Sequence, residues 1–191
     1  GSGGSIIEQP WTNWDDANSR PREGTRPAIQ LVENTDDYSR VAMDIAPVYE
    51  NSNVQTNWRE LIYIRPGVTV VYDYVASTAG IPKTWQLNSP YSPSISGNVA
   101  TFNGPSTSMQ VTTLLPAGAS GSVHNWQSSG PFQSNYRDSS GNFTPGSYRL
   151  DITSNSTSDT FLNVIDVEGA VETASVSSVN GEHVLSLKLV G

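Results

Sequence analysis

The two histidines, His124 and His183, supply the only imidazole groups in this sequence, and imidazole is the side chain that proteins most often use as a general base or metal ligand. They stand far apart in the sequence, and neither has a partner at a metal-ligand spacing. The chain contains no cysteine, which excludes both a disulfide framework and a thiolate metal site. We therefore expect ordinary strand histidines.

Carboxylates occur in adjacent pairs at Asp15-Asp16 and Asp36-Asp37, with a further acid at Asp159. Carboxylate oxygens are the ligands that Ca²⁺ prefers. None of these acids has the spaced Asp/Asn pattern with a closing Glu that marks an EF-hand loop. We expect solvated turn acids and keep a structural Ca²⁺ at Asp36 and Asp37 as the alternative; no other cofactor is indicated.

Aromatic residues also occur in loop-like or loop-flanking stretches of the sequence. Flat rings in such loops can stack on sugar faces, or they can fasten the loops to the fold. The members of this group are Trp11, Trp14, Trp126, Phe132, Tyr136 and Phe143. Aromatic residues inside strand patterns are expected in the core instead: Trp58, Tyr63, Tyr72, Trp85 and Phe161.

A basic cluster of Arg20, Arg22 and Arg26 stands out in a chain of formal net charge -8. Guanidinium groups suit bidentate contact with a carboxylate or sulfate, so Arg22 joins the candidates for binding an acidic sugar. A solvated arm is the alternative. The overall negative charge repels nucleic acid and anionic lipid, and neither is an expected partner.

These side chains are positioned by short runs rich in β-branched and aromatic residues, which are separated by turn residues and predict about twelve antiparallel strands. The clearest hairpin joins 60–65 to 68–75 at Pro66-Gly67, and another turns at Asn180-Gly181. The remaining predicted strands are 29–33, 40–46, 83–87, 99–103, 109–115, 122–126, 148–153, 160–166, 171–177 and 183–190.

No segment has the pattern of an ordinary amphipathic helix, so the predicted fold class is all-β. We expect an antiparallel two-sheet β-sandwich whose sheets close over one shared interior. Residues 6–27 predict an irregular N-terminal arm, and residues 127–146 predict a long ordered loop.

Residues 1–5 have the Gly/Ser composition of an artificial linker, which leaves 6–191 as a single predicted domain. No apolar run approaches the roughly 18 residues that would span a bilayer. We expect a piece of a longer chain that is secreted or periplasmic.

Two consecutive strand motifs, 58–66 (WRELIYIRP) and 70–75 (VVYDYV), follow Tyr49 and resemble the β-sandwich portion of heparinase II/III-like polysaccharide lyases. Later pieces keep the order found in that family, and the resemblance covers residues 28 to 190. These pieces are KTWQL at 83–87, TLLP at 113–116, SYRL at 147–150 and DTFLNVI at 159–165.

The resemblance implies a sandwich that follows an (α/α) toroid and closes one wall of the substrate cleft. In that family the toroid carries much of the catalytic machinery, and the stretch that resembles the family here contains no toroid. Such lyases abstract the proton beside a uronate carboxylate with Tyr and His side chains while other groups neutralise that carboxylate. Those positions lie largely outside the matched stretch, so no catalytic role transfers to a residue of this chain.

Three functions remain open from the sequence. The leading hypothesis is an accessory domain that is non-catalytic in isolation and binds an acidic or neutral polysaccharide beside neighbouring domains of a longer chain. The second is a minimal lyase acting by β-elimination on a uronate polymer, with His124 paired with Tyr136 or Tyr148, and Arg137 or Arg149 neutralising the carboxylate. The third is a structural or adhesion module that binds no glycan. The carbohydrate-binding candidates of the first are Trp11, Trp14, Arg22, Trp126, Phe132 and Tyr136.

Overall fold

The computed structural model describes residues 28–49, 54–78, 81–125 and 148–190. Within these ranges the chain forms thirteen strands and one 3-10 turn, Ala46–Val48, and no helix there is long and apolar enough to cross a membrane. The all-β prediction is confirmed. The predicted arm at 6–27 and loop at 127–146 lie outside the described residues.

The strands are numbered in chain order, and every described pairing between them is antiparallel. Their bounds are β1 Ala28–Asn34, β2 Tyr38–Asp44, β3 Val54–Ile64, β4 Val68–Ser77, β5 Lys83–Ser89, β6 Ser94–Ser96, β7 Val99–Asn103, β8 Ser108–Leu115, β9 Gly121–Asn125, β10 Tyr148–Ser154, β11 Ser158–Val167, β12 Val171–Val179 and β13 Glu182–Leu189.

These strands form three layers. The central layer is an eight-stranded sheet of order β1-β2-β3-β4-β11-β8-β7-β6. A three-stranded sheet of order β5-β10-β9 forms one outer layer, and the β12-β13 hairpin forms the other. Both predicted hairpins are present. At the tip of the second, Asn180 and Gly181 have φ of 53° and 84°, as a type I′ turn requires.

The first apolar core lies between the central sheet and the three-stranded sheet. Trp85, Leu150 and Ile152 of the small sheet pack against Phe161 and Val111 of the central sheet. Leu150 has no exposed surface and Ile152 has 2%. Alternating residues of β10 supply this face, because successive side chains of a strand point to opposite sides.

A second apolar core lies on the other face of the central sheet, beneath the β12-β13 hairpin. Its buried members Val68, Val70, Leu162 and Val164 are covered by partly buried hairpin residues that include Leu187. The structure therefore differs from the expected single interior. The central strands are buried on both faces, which is why β11 shows a nearly continuous buried run rather than strict alternation.

One predicted core aromatic is exposed. Tyr63 retains 41% of its surface, so its assignment to the core was wrong. Its hydroxyl donates to the main-chain oxygen of Pro66 at 2.7 Å, and the Arg65 guanidinium lies 6.0 Å from its ring centroid. Local contacts at the β3-β4 turn hold this ring at the surface. Trp85 and Phe161, by contrast, are buried as predicted.

Candidate functional site

The outer face of the three-stranded sheet is polar because β10 alternates. Leu150 and Ile152 point into the first core, so the alternate residues Arg149 and Asp151 point away from it. Strand β5 has the same pattern: Trp85 is buried while Gln86 is exposed. The period-2 pattern of these strands thus separates an apolar packed face from a polar face.

Strand register assembles a polar row across this outer face. Arg149 of β10 stands opposite Asn88 of β5 and His124 of β9. We call Asn88, Arg149 and His124 the Arg149 row. Neighbouring strands are about 4.8 Å apart, so the row spans roughly 10 Å. The structure thereby brings together His124 and Arg149, which the sequence proposed as base and carboxylate clamp.

Asp151 forms an ion pair with Arg149 that sets the orientation of the guanidinium and the net charge of the pair. The Arg149 Nε lies 2.6 Å from Asp151 Oδ1, and its Nη2 lies 2.9 Å from Oδ2. The two side chains are only 22% and 16% exposed, so this bidentate pair is partly shielded from solvent. The pair fixes the plane of the guanidinium and offsets its charge. Arg149 is therefore a positioned hydrogen-bond donor more than an uncompensated cation.

Tyr148 does not join the row. It stands opposite Ser89 of β5 and Asn125 of β9, one residue along from the Arg149 row. Adjacent residues of a strand point to opposite faces, so Tyr148 and His124 lie on different sides of the sheet. The alternative that paired these two side chains as acid and base is wrong for this reason.

All six carbohydrate-binding candidates lie outside the described residues and stay predictions: Trp11, Trp14, Arg22, Trp126, Phe132 and Tyr136. The same holds for Arg137, the other candidate for neutralising a carboxylate. The chain leaves β9 after Asn125 and enters β10 at Tyr148, two residues that stand directly opposite each other. The described chain thus leaves and re-enters this sheet one position from the Arg149 row.

A small cleft lies beside the row, at the edge of β5. It has a volume of about 220 Å³ and includes Asn88, Tyr91, Gly104, Thr107 and Met109 among its lining residues. We call it the Tyr91 cleft. Sequence analysis did not single out Tyr91, which lies in a loop with prolines at 90 and 93. The available signal was an aromatic residue in a Pro-flanked loop, but nothing local showed that the β7-β8 turn would face it.

A second polar cluster lies on β3 and β4. Arg59 contacts both oxygens of Asp73, at 2.6 and 3.1 Å, and Asn57 and the half-buried Tyr49 adjoin them. Burial raises the pKa of the Asp73 carboxyl, and Arg59 offsets this only in part. Burial also raises the pKa of the Tyr49 phenol.

A tyrosine, an arginine and an amide together are groups that proton abstraction beside a carboxylate could use. However, Asn57 is only 6% exposed and the Asp73 side chain only 3%. A catalytic base also needs a pKa near the working pH, whereas the pKa of Tyr49 moves upward. We interpret this cluster as a structural link between β3 and β4.

The other sequence candidates occupy ordinary positions. His183 lies at the start of β13 with its ring 6.5 Å from that of Tyr72. Asp36 and Asp37 lie in the exposed β1-β2 turn, where the main-chain oxygen of Asp37 accepts a hydrogen bond from Arg65 N. Among the described residues, no three His, Cys, Asp or Glu side chains are grouped as a metal ion requires. Calcium binding at this turn stays a prediction.

Solved structures with a similar fold include heparinases and a heparan sulfate lyase. A heparinase III with methylated lysines matches with a TM-score of 0.60 and 14% identity over 91% of this chain and 29% of that one. Heparan sulfate lyase HepC from Pedobacter heparinus matches with 0.58 and 13% over 86% and 28%. Another heparinase III matches with 0.56 and 15% over 86% and 27%.

No protein-family model matches the chain, and no curated protein sequence matches it. The described chain has the fold of one portion of these solved proteins and spans less than a third of their length. The resemblance identified from 58–66 and 70–75 is confirmed at the level of the fold.

Proposed function

We propose that this chain is the carbohydrate-facing β-sandwich of a larger, secreted polysaccharide lyase-like protein, and that it binds an acidic glycan without cleaving it. The observation that carries the proposal is the fold match, which covers about nine tenths of this chain but less than a third of the heparinases. Such coverage is expected of one domain whose neighbours in a longer chain complete the enzyme.

The outer face of the three-stranded sheet is the proposed contact surface. The net charge of -8 repels an acidic polymer overall, so binding requires local donors. The Arg149 row places a guanidinium, an imidazole and an amide within about 10 Å, with the Nε2 atom of the imidazole buried. Because Asp151 offsets the charge of Arg149, we expect modest affinity with a shallow salt dependence.

The absence of cleavage is proposed from the same geometry. Proton abstraction beside a carboxylate needs a base and an electrophilic group that neutralises that carboxylate. Arg149 already holds the carboxylate of Asp151, and Tyr148 faces the other side of the sheet from His124. The second polar cluster, around Arg59 and Tyr49, is nearly sealed from solvent at Asn57 and Asp73.

Affinity electrophoresis of the full chain in native gels containing heparan sulfate, alginate or a neutral β-glucan tests the proposal. We expect retardation by an acidic polymer. Arg149→Gln should weaken this binding about tenfold, because a hydrogen bond to a charged group is lost. Lys188→Gln is the matched control: it removes one positive charge from an exposed pair on the hairpin and should leave binding unchanged. Migration that no polysaccharide alters would overturn the proposal.

The lyase alternative keeps some support because His124 and Arg149 share a face. Incubating a high concentration of the chain with each uronate polymer distinguishes the two functions. β-Elimination creates an unsaturated product that absorbs in the ultraviolet, and His124→Ala would abolish that signal. We expect no absorbance rise, and a rise that depends on His124 would replace the binding function with the enzymatic one.

A further inference from the structure

We infer that the Tyr91 cleft is a subsite for one pyranose ring of the bound glycan, beside the Asn88 end of the Arg149 row. This inference rests on the proposed function and adds to it a place and a residue, Tyr91.

The size of the cleft sets how much of a glycan it can hold. Pockets that bury drug-sized ligands are about 300–1,000 Å³. The cleft measures about 220 Å³, which lies below that range. It therefore suits a single ring, and the rest of an oligosaccharide must lie on the surface outside it.

The walls of the cleft have the chemistry of a sugar-ring site. Tyr91 is 41% exposed and offers a ring on which the apolar face of a pyranose can stack. Asn88 and Thr107 add an amide and a hydroxyl as partners for sugar hydroxyls. The described residues of the cleft lining include no charged side chain, which favours an uncharged portion of the sugar there.

Gly104 allows Tyr91 to take this position. A Cβ atom added at Gly104 would lie 3.1 Å from the Tyr91 ring and 3.3 Å from the main-chain oxygen of Thr107. The turn itself is closed by a hydrogen bond from Gly104 N to Thr107 O at 2.9 Å. On the other side, Tyr91 N donates to Ser89 Oγ at 3.0 Å. The ring is thus held between β5 and the β7-β8 turn.

Asn88 places the cleft beside the Arg149 row, because it belongs to both. The cleft lining also includes Phe102 and Met109 of the first apolar core, so the cleft lies at the end of β5 between the two sheets. The Arg149 row lies on the opposite face of the three-stranded sheet. A glycan with one ring in the cleft therefore meets the row at Asn88.

Tyr91→Ala and Tyr91→Phe test the subsite in the full chain, by affinity electrophoresis and by titration with heparan sulfate oligosaccharides. We expect Tyr91→Ala to weaken binding about fivefold to tenfold, and Tyr91→Phe to retain most of it because the ring remains. Gly104→Ala should weaken binding as well, because its methyl group displaces that ring. Tyr74→Ala is the matched control: this tyrosine is 39% exposed on β4 of the central sheet.

Salt dependence separates the subsite from the Arg149 row. Tyr91→Ala should lower affinity equally at low and high salt, whereas Arg149→Gln should flatten the salt dependence. Thermal unfolding of each variant identifies any loss of binding that follows from misfolding. If the unmodified chain binds no polysaccharide, the proposed function itself fails. If it binds and Tyr91→Ala binds as well as Tyr74→Ala does, the subsite alone is overturned.

Discussion

The two outer layers are attached to the central sheet in different ways. The three-stranded sheet combines apolar packing with a buried ion pair: Lys83 Nζ of β5 lies 3.2 Å from Asp159 Oδ2 of β11, and both side chains are 6% exposed. The β12-β13 hairpin combines its apolar contacts with hydrogen bonds to a buried carboxylate of β11. Asp166 accepts hydrogen bonds from Ala170 N and Val171 N at 2.7 and 3.1 Å.

The outward faces of these layers differ as well. The three-stranded sheet presents the Arg149 row and Asp151, whereas the hairpin presents mainly short hydroxyls, such as Ser175, Ser177 and Ser186. A buried ion pair adds little stability but requires one arrangement of its partners. The layer carrying the polar site is therefore held in a specific geometry, while the hairpin mainly covers the second core.

Breaking the ion pair should give the largest effect. Asp159→Leu leaves the Lys83 ammonium buried without its carboxylate, and we expect the free energy of unfolding to fall by about 3–5 kcal/mol. Urea unfolding measures this change. The double variant Lys83→Met/Asp159→Leu should recover most of the loss, since no unpaired charge remains. A single variant that unfolds like the parent chain would refute the role of the pair.

Truncating the second core should destabilise the hairpin layer without affecting the site. Leu162 is 3% exposed beneath the hairpin, so Leu162→Ala should lower the free energy of unfolding by about 3 kcal/mol. Glycan affinity, measured under conditions where the variant stays folded, should be unchanged. Weaker binding by this variant would show that the two layers are coupled.

Removing the Asp166 carboxylate should have a smaller and more local effect. Asp166→Ala deprives Ala170 N and Val171 N of their acceptor, which costs about 1–3 kcal/mol. Hydrogen exchange should show faster opening of the hairpin amides and little change in the three-stranded sheet. Glu168→Ala, an exposed change in the same turn, serves as the control. Equal acceleration in both layers would contradict the separation between them.

A change of pH should reveal the smallest effect, in the central sheet that both layers share. The folded-state pKa of Asp73 is raised by burial, so the folded protein binds more protons than the unfolded chain just above the ordinary carboxyl pKa. Its contribution to stability is present below that pKa and is lost as pH rises through the raised value. Relative to the parent chain, Asp73→Asn should therefore have a higher free energy of unfolding at pH 7 than at pH 4, as measured by urea unfolding. A difference that is constant with pH would contradict this.

Much of the fold could be predicted from local patterns. The turn residues Pro66-Gly67 and Asn180-Gly181 lie at the tips of the two predicted hairpins. Two interiors were not predicted, although the apolar runs of β4 and β11 carried the signal of strands buried on both faces. Tyr63 shows the limit of that signal, because an aromatic residue within a strand pattern can be held at the surface by contacts at the adjacent turn.

By itself, the sequence determined most of the strand segments, because side-chain alternation is a property of the local backbone, but it missed β6 and residues 54–59 of β3. Only the tertiary structure decided that His124 stands beside Arg149, that Lys83 meets Asp159, and that Tyr91 faces Gly104. Each of these contacts joins two different strands or a loop and a turn. Their register and layering depend on how the whole chain buries its apolar surface, which no short stretch of sequence specifies.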